Sequence, residues 1–313
     1  MRRYAAAVLL AALLAGCGGY DETVVPRPDD ANAPAPAPGP APDCVNDGSE
    51  VRSYEPRGDL LDGPTIDKIR ERGRLIAGVA SDTYLLGSRN PALGVIEGFD
   101  IDMVNAIAAE IFPDDDLAAV VELRVITAAQ RIPLLQDGTL DIVARNMTVN
   151  CVRWQQMAFS AIYFDAGQKV LVGVDSGITS IDDLAGKRIC APAGTTSIAN
   201  IQEIQPDAIP VTSTDNSSCM VLFQNGEADG VSTDDTVLAG LAAQDPYAVV
   251  LDTERLTREP YGIGVNAANE DLVRLINEVL EDMRADGRWQ ASYDRWLAPD
   301  LGKATQPQPL YGR

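Results

Sequence analysis

The chain has 313 residues, 46% of them hydrophobic, with 46 acidic side chains against 25 basic ones and a net charge of -21. That balance excludes nucleic acid and other polyanions as partners, because phosphate binding needs Lys and Arg clustered on one face. Histidine is absent altogether, which excludes Ser-His-Asp and Cys-His catalysis and every histidine-containing metal site. The length and apolar content favour two lobes over one compact domain.

The opening MRRYAAAVLLAALLAGCGGY sets two arginines before an apolar run from Tyr4 to Ala15. The run is too short to cross a bilayer comfortably and reads as a secretory signal over 1–16. Leu14-Ala15-Gly16-Cys17 resembles a lipobox, so Cys17 is expected to carry lipid and hold an extracytoplasmic protein to the cell membrane. Residues 17–43 are rich in Pro and Ala and nearly free of large apolar side chains, the composition of an extended tether. Setting Cys17 aside leaves Cys44, Cys151, Cys190 and Cys219. An even number in an exported chain reads as two disulfides, with three pairings open, and the absence of a close Cys-x-x-Cys pair argues against zinc.

Strands then alternate with helices. The pattern predicts a strand over 72–80, an amphipathic helix over 98–112, a strand over 121–127 and a short helix over 131–138 ended by Gly138. A strand over 140–146 runs into a loop, and a helix starts near Arg153. A second set repeats the alternation: KVLVGV, IDDLAGKRICAP, a helix from Ser197, AIPVTS, a helix from Ser217 to Gly226, and ADGVST. Two such sets predict two α/β lobes with open, largely parallel sheets. Sheets of this kind bind ligands beyond the carboxyl ends of their strands. Asn146 and Thr148, the Gly194-Thr195-Thr196-Ser197 turn, and Asp234 with Asp235 all follow strands in this way. The closing KATQPQPLYGR reads as an unstructured tail.

GFDIDM, RIPLLQDGTLDIV, NMTVNCVRWQQMAFS, DLAGKRICAPAGTTS, FQNGEADGVSTDDTVLAG and DGRWQASYDRWL together resemble the extracytoplasmic solute-binding proteins of polar amino-acid ABC transporters. Each is weak alone; in this order, from about residue 65 to residue 298, they are specific. The chain looks most like the glutamate-, aspartate- and glutamine-binding lipoproteins of actinobacteria. The resemblance implies a two-lobed periplasmic-binding-protein fold with two crossover hinge segments, near 163–168 and 258–262. Lobe 1 would be 44–165 plus 262–300, lobe 2 would be 166–261, and 301–313 the tail. It also implies the pairings Cys190–Cys219 and Cys44–Cys151.

The same resemblance assigns a site for an α-amino acid. Arg153 would grip the α-carboxylate with its planar fork, beside Asn146 and Thr148 and, from the other lobe, Thr195 and Thr196. Asp234 would receive the α-ammonium. Arg131, at the position where acidic-ligand relatives carry an arginine, would read a distal carboxylate, which favours glutamate or aspartate over glutamine. Those relatives can carry a further basic residue where this chain has Ala80 and Ser81, and a histidine where it has Asn216; Arg89 is the candidate replacement. Tyr84 and Leu86 would wall the ligand's methylenes. Arg145 should point away on strand alternation, as a surface or structural ion-pair residue, and Trp154, Trp289 and Trp296 should pack, with Trp154 buttressing Arg153.

The implied partners are the amino acid and an ABC transporter permease or, alternatively, a membrane sensor that reads the bound state. The protein is expected to be a monomer without metal or cofactor. A dehydratase on the same fold is the remaining alternative. It would need an acid or base in the cleft, where the sequence places only Asp234 and Asp235.

Overall fold

The computed structural model describes residues 44–56 and 62–313. The signal over 1–16, Cys17 and the tether over 17–43 lie outside the described residues. After β1 (Arg52–Ser53), helix α1 (Pro64–Arg72) begins on a proline, whose missing N–H costs nothing in a first turn. It stops at Gly73, whose left-handed φ of 76° returns its amide to the Ile69 and Arg70 carbonyls. Strand β2 (Leu75–Val79) is buried throughout, as a central parallel strand must be. Short strands β3 (Asp82–Thr83), β4 (Gly87–Arg89) and β5 (Ile96–Glu97) lead into α2 (Phe99–Ile111). Gly98 opens that helix at φ 143°, where an added Cβ would lie 2.3 Å from the Leu86 carbonyl oxygen.

The first half continues through α3 (Leu117–Val120), β6 (Val121–Val125), α4 (Arg131–Gln136), β7 (Ile142–Val143), α5 (Cys151–Trp154) and β8 (Ala158–Phe159). The second half runs β9 (Phe164–Gly173), β10 (Arg188–Pro192), α6 (Ser197–Ile204), β11 (Ile209–Ser213), α7 (Asn216–Gln224), β12 (Gly230–Asp234), α8 (Asp235–Gln244), β13 (Ala248–Val250) and β14 (Arg258–Tyr261). The chain then returns through β15 (Gly264–Val265), α9 (Glu270–Ala285), α10 (Arg288–Trp296), α11 (Ala298–Leu301) and β16 (Leu310–Tyr311).

Two sheets organise these elements. One has the order β6-β2-β7-β15-β8, with β6, β2 and β7 parallel and β15 antiparallel to β7 and β8. The other has the order β11-β10-β12-β9-β13, with its first three strands parallel and β9 antiparallel to β12 and β13. Between the sheets the chain passes twice, and the two passages pair with each other. Strand β14 lies antiparallel to the start of β9, Glu259 opposite Ala166 and Tyr261 opposite Phe164. A hydrogen-bonded ribbon, rather than two loose linkers, therefore joins the lobes.

Aromatic packing ties α10 to α2 and to the start of the first crossover. Phe99 meets Trp289 edge-on at 5.6 Å, Trp289 stacks on Tyr293 at 5.2 Å, and the Trp289 indole donates to the Tyr163 carbonyl at 2.8 Å. Trp289 thus packs as its apolar context predicts. The C-terminus departs from expectation. Far from being unstructured, it forms β16, parallel to β1, and the Tyr311 hydroxyl donates to Glu281 at 2.8 Å. Its Pro-rich composition concealed a two-residue strand whose partner lies near the other end of the chain.

The disulfides join Cys190 to Cys219 and Cys44 to Cys151, with Cα atoms 5.6 Å and 5.9 Å apart. The first ties β10 to α7 within the second sheet's layer. The second pins the segment before β1 onto α5, where the Cys151 amide also donates to Asn46 and the Trp154 indole to the Glu50 carbonyl.

Candidate functional site

The loop after β7 turns sharply because Asn146 adopts a φ of 37°, a left-handed conformation that Asn tolerates better than most side chains. Asp100, in the first turn of α2, holds the turn. One of its carboxylate oxygens accepts from the Asn146 amide at 2.9 Å and the other from the Tyr163 hydroxyl at 2.8 Å. Burial raises the Asp100 carboxyl to about 6 despite these bonds. The turn places Arg145, Asn146 and Thr148 together under the opposite sheet's loops, all three buried.

Three buried arginines surround this turn. Arg131, 2% exposed, sends Nε to the Ala128 carbonyl, Nη1 to the Arg145 carbonyl and Nη2 to the Gly194 carbonyl, the last at 3.0 Å from the other lobe. Arg153 donates from Nη1 to the Thr148 carbonyl at 2.6 Å. Arg145 donates from Nε to the Ile126 carbonyl at 2.9 Å. Among the described residues, none of the three has a carboxylate within ion-pairing distance. Burial pushes all three guanidinium groups below their ordinary range, Arg131 well below it because Arg153 and Arg145 push the same way. The expectation that Arg145 is a surface or ion-paired residue is corrected. It is 2% exposed and bonded to backbone, because the strand it was assigned to ends at Val143 and alternation no longer governs position 145.

From the second lobe, Asp234 ends β12 at the N-cap position of α8, with no side-chain capping bond to the helix. Its Oδ2 accepts from the Tyr261 hydroxyl at 2.6 Å, and Thr236 Oγ1 lies 2.8 Å from that same hydroxyl. Burial, reinforced by the negative charge of Glu259, raises the Asp234 carboxyl to about 8. Asp234 and Arg131 are both buried and lie close enough for each to shift the other's ionisation.

The lobes meet around this space at three further places. A Cβ on Gly194 would lie 2.7 Å from Ala129 Cα, and one on Gly240 would lie 2.7 Å from the Tyr84 carbonyl oxygen. The Ser217 amide donates to Asp82 Oδ2 at 3.3 Å. Glycine at 194, with φ 77°, is thus required both by the turn and by the approach of the other lobe.

The remaining expected residues divide. Asn146 and Asn216 are both buried, and the Oδ1 atom of each has no hydrogen-bond donor among the described residues. Tyr84 is half-exposed at the rim, its carbonyl packed on Gly240. Leu86 is fully buried within the main apolar core. Thr195 spends its hydroxyl on the Pro192 carbonyl at 2.7 Å, closing its own turn. Arg89 does not reach the cluster: it is exposed and donates to the Gly94 carbonyl within its own hairpin. A short hairpin strand points alternate side chains to opposite faces, and Arg89 falls on the outer one.

Glu259 was not anticipated. It is 2% exposed on β14, and its carboxylate accepts from Thr148 and Thr196 on one oxygen and from Thr257 and Asn200 on the other, at 2.6 to 2.8 Å. The available signal was alternation: Thr257, Glu259 and Tyr261 share one face of an extended crossover. The two threonine hydroxyls expected to meet a ligand carboxylate instead donate to this internal one.

Known proteins share both sequence and architecture with the chain. It is 35% identical over 237 residues to the ABC transporter glutamine-binding protein GlnH of Bacillus subtilis (strain 168), covering 75% of this chain and 85% of that protein. It is 31% identical over 257 residues to the glutamate-binding protein GluB of Corynebacterium efficiens, covering 80% of this chain and 86% of the relative. An ancestral arginine-binding protein bound to glutamine superposes with a TM-score of 0.66 at 31% identity, covering 74% of this chain and 99% of that one. Residues 75–299 match the family described as bacterial extracellular solute-binding proteins, family 3, and the chain belongs to that family.

Proposed function

We propose that this protein captures an α-amino acid between its two lobes and delivers it to an ABC importer. The observation that carries the reading is that buried Arg153 and buried Asp234, from opposite lobes, lie within electrostatic reach of each other without an ion pair between them. Arg153 has no carboxylate partner among the described residues, and Asp234 has burial working against its charge. An α-amino acid brings a carboxylate for the first and an ammonium for the second. A buried charge without a partner is costly, by several kcal/mol, and a ligand that supplies the partner recovers much of that cost. On this reading lobe 1, 44–165 with 262–300, closes on lobe 2, 166–261, by bending of the ribbon.

The side chain favoured is that of glutamate or aspartate. Arg131 is buried, carries no ion pair among the described residues, and uses three of its five N–H donors on carbonyls, leaving two for a distal carboxylate. Glutamine is the second reading, favoured because those three carbonyl bonds already satisfy much of the guanidinium, and a neutral side chain then adds no charge. A thermal-shift panel of the twenty amino acids tests both, since a ligand that binds only the folded protein raises its melting temperature. The largest shift is expected for glutamate or aspartate. A largest shift for glutamine would select the second reading, and no shift for any amino acid would remove both.

Delivery at the membrane rests on Cys17 as the lipid-bearing residue. Cys17→Ala should release the protein from the membrane fraction of the producing cells while leaving its amino-acid binding intact. Retention of the variant on membranes would remove the anchor.

A further inference from the structure

Glu259 stands where both lobes and the crossover ribbon converge. Thr148 comes from the loop after β7, Thr196 and Asn200 from the turn and helix after β10, and Thr257 from the approach to β14. The contacts are 2.6 Å to Thr148 Oγ1 and 2.8 Å to Thr196 Oγ1 on Oε2, and 2.6 Å to Thr257 Oγ1 and 2.8 Å to Asn200 Nδ2 on Oε1. Four hydrogen-bond donors thus fill one carboxylate, two on each oxygen.

The direction of these bonds matters more than their number. A hydroxyl has one proton and two lone pairs. Once the Thr148 and Thr196 protons point at Glu259, each oxygen has only lone pairs for any further partner. Such oxygens can receive an ammonium but cannot donate to a carboxylate. The set also needs both lobes in contact, because Thr148 and Thr196 lie on opposite sides of the cleft and share Oε2.

We propose that Glu259 is a positioning residue that fixes Thr148 and Thr196 as hydrogen-bond acceptors, so that the closed cleft selects a ligand bearing an α-ammonium. The proposal rests on the amino-acid reading above and deepens it. The ammonium is received by two oriented hydroxyl oxygens as well as by Asp234, and the carboxylate is left to Arg153 and backbone amides. The unfilled Asn146 Oδ1, in the same buried turn as Thr148, is a further acceptor of the same polarity.

The test is Glu259→Gln, which keeps shape and reverses polarity on one side. Asn200 Nδ2 can only donate, so the new amide oxygen stays with Asn200 and the amide nitrogen faces the two threonines. Their hydroxyls then accept from it and turn their protons outward. Calorimetry compares wild type and variant with L-glutamate and L-glutamine and with the 2-hydroxy acids that replace the α-ammonium by hydroxyl. The expected result is at least a tenfold loss of affinity for the amino acids and less than a threefold change for the hydroxy acids. An equal loss for both would make Glu259 a simple latch between lobes and overturn the proposal, as would amino-acid affinity within threefold of wild type.

Failure of wild type to bind any amino acid would overturn the parent reading and this one with it. Binding with unaltered discrimination in the variant would overturn this one alone. If Glu259→Gln does not fold, Thr148→Val and Thr196→Val carry the same test. Each should lower the preference for the amino over the hydroxy ligand, and an unchanged preference in both overturns the proposal.

Discussion

Arg131 and Gly194 are joined across the two lobes: the guanidinium Nη2 donates to the glycine carbonyl at 3.0 Å. The same side chain proposed to read the ligand therefore also bonds the opposite lobe. Two different losses are expected from Arg131→Ala. Affinity for glutamate and aspartate should fall by roughly tenfold or more relative to that for glutamine and asparagine, as expected for removing one charge-assisted contact. All ligands should share a smaller additional loss from the missing inter-lobe bond. Equal losses for acidic and amide ligands, measured by calorimetry, would make Arg131 structural only.

Arg153 carries the stronger expectation. Arg153→Ala should abolish measurable binding of every amino acid. Arg153→Lys should retain charge but lose the planar fork, weakening all ligands by on the order of tenfold without changing their ranking. A change in ranking would place Arg153 on the side chain of the ligand instead of its α-carboxylate.

Asp234 and Asp100 set a dependence of stability on pH in the ligand-free protein. Their carboxyls are raised, by burial first, to about 8 and about 6. Between the ordinary carboxylate range and those values the folded state holds protons that the unfolded state has lost, so stability falls as pH rises through this window. The melting temperature should be higher at pH 5 than at pH 8, and Asp234→Asn should reduce that difference. Binding has the opposite slope: a ligand ammonium favours ionised Asp234, so affinity should rise from pH 6 to 8 with release of a proton. Calorimetry in buffers of different ionisation enthalpy measures that release, and its absence would argue against Asp234 as the ammonium's partner.

The two disulfides should separate stability from function. Replacing Cys190 and Cys219 by Ser opens a link spanning 29 residues and should cost about 3–4 kcal/mol on the chain-entropy estimate, with binding preserved in the protein that remains folded. Replacing Cys44 and Cys151, a link spanning 107 residues, should cost about 5 kcal/mol on the same estimate and also weaken binding, since Cys151 opens the four-residue helix that carries Arg153. Chemical denaturation and calorimetry on each double variant distinguish the two. Equal effects on binding would show that the Cys44 link does not position Arg153.

The alternation of apolar strands and amphipathic helices was enough to read two α/β sheets. The short helix opening at Arg131 and the helix over 99–111 emerged within a residue or two, the first because Gly138 marks its end and the second because of its apolar face. Arg145 was misread because a period-2 argument was carried two residues past the end of a two-residue strand. Arg89 was misjudged because its direction depends on a hairpin whose strands are too short to show a pattern.

The sequence by itself determined the kinds of chemistry available. With no histidine and a strong acidic excess, it pointed away from histidine-dependent catalysis and polyanion partners, and only the resemblance carried by its ordered motifs pointed to recognition of a small charged ligand. It also carried the cysteine parity and the order of the lobes, since both depend on residues near one another in the chain or simply counted. Tertiary structure alone decided where the hydroxyl protons go and which charges face each other. Thr148 and Glu259 are 111 positions apart, and Arg131 and Gly194 are 63 apart. Hydrogen-bond direction and desolvation arise only when such distant groups are buried together, and no local pattern encodes them.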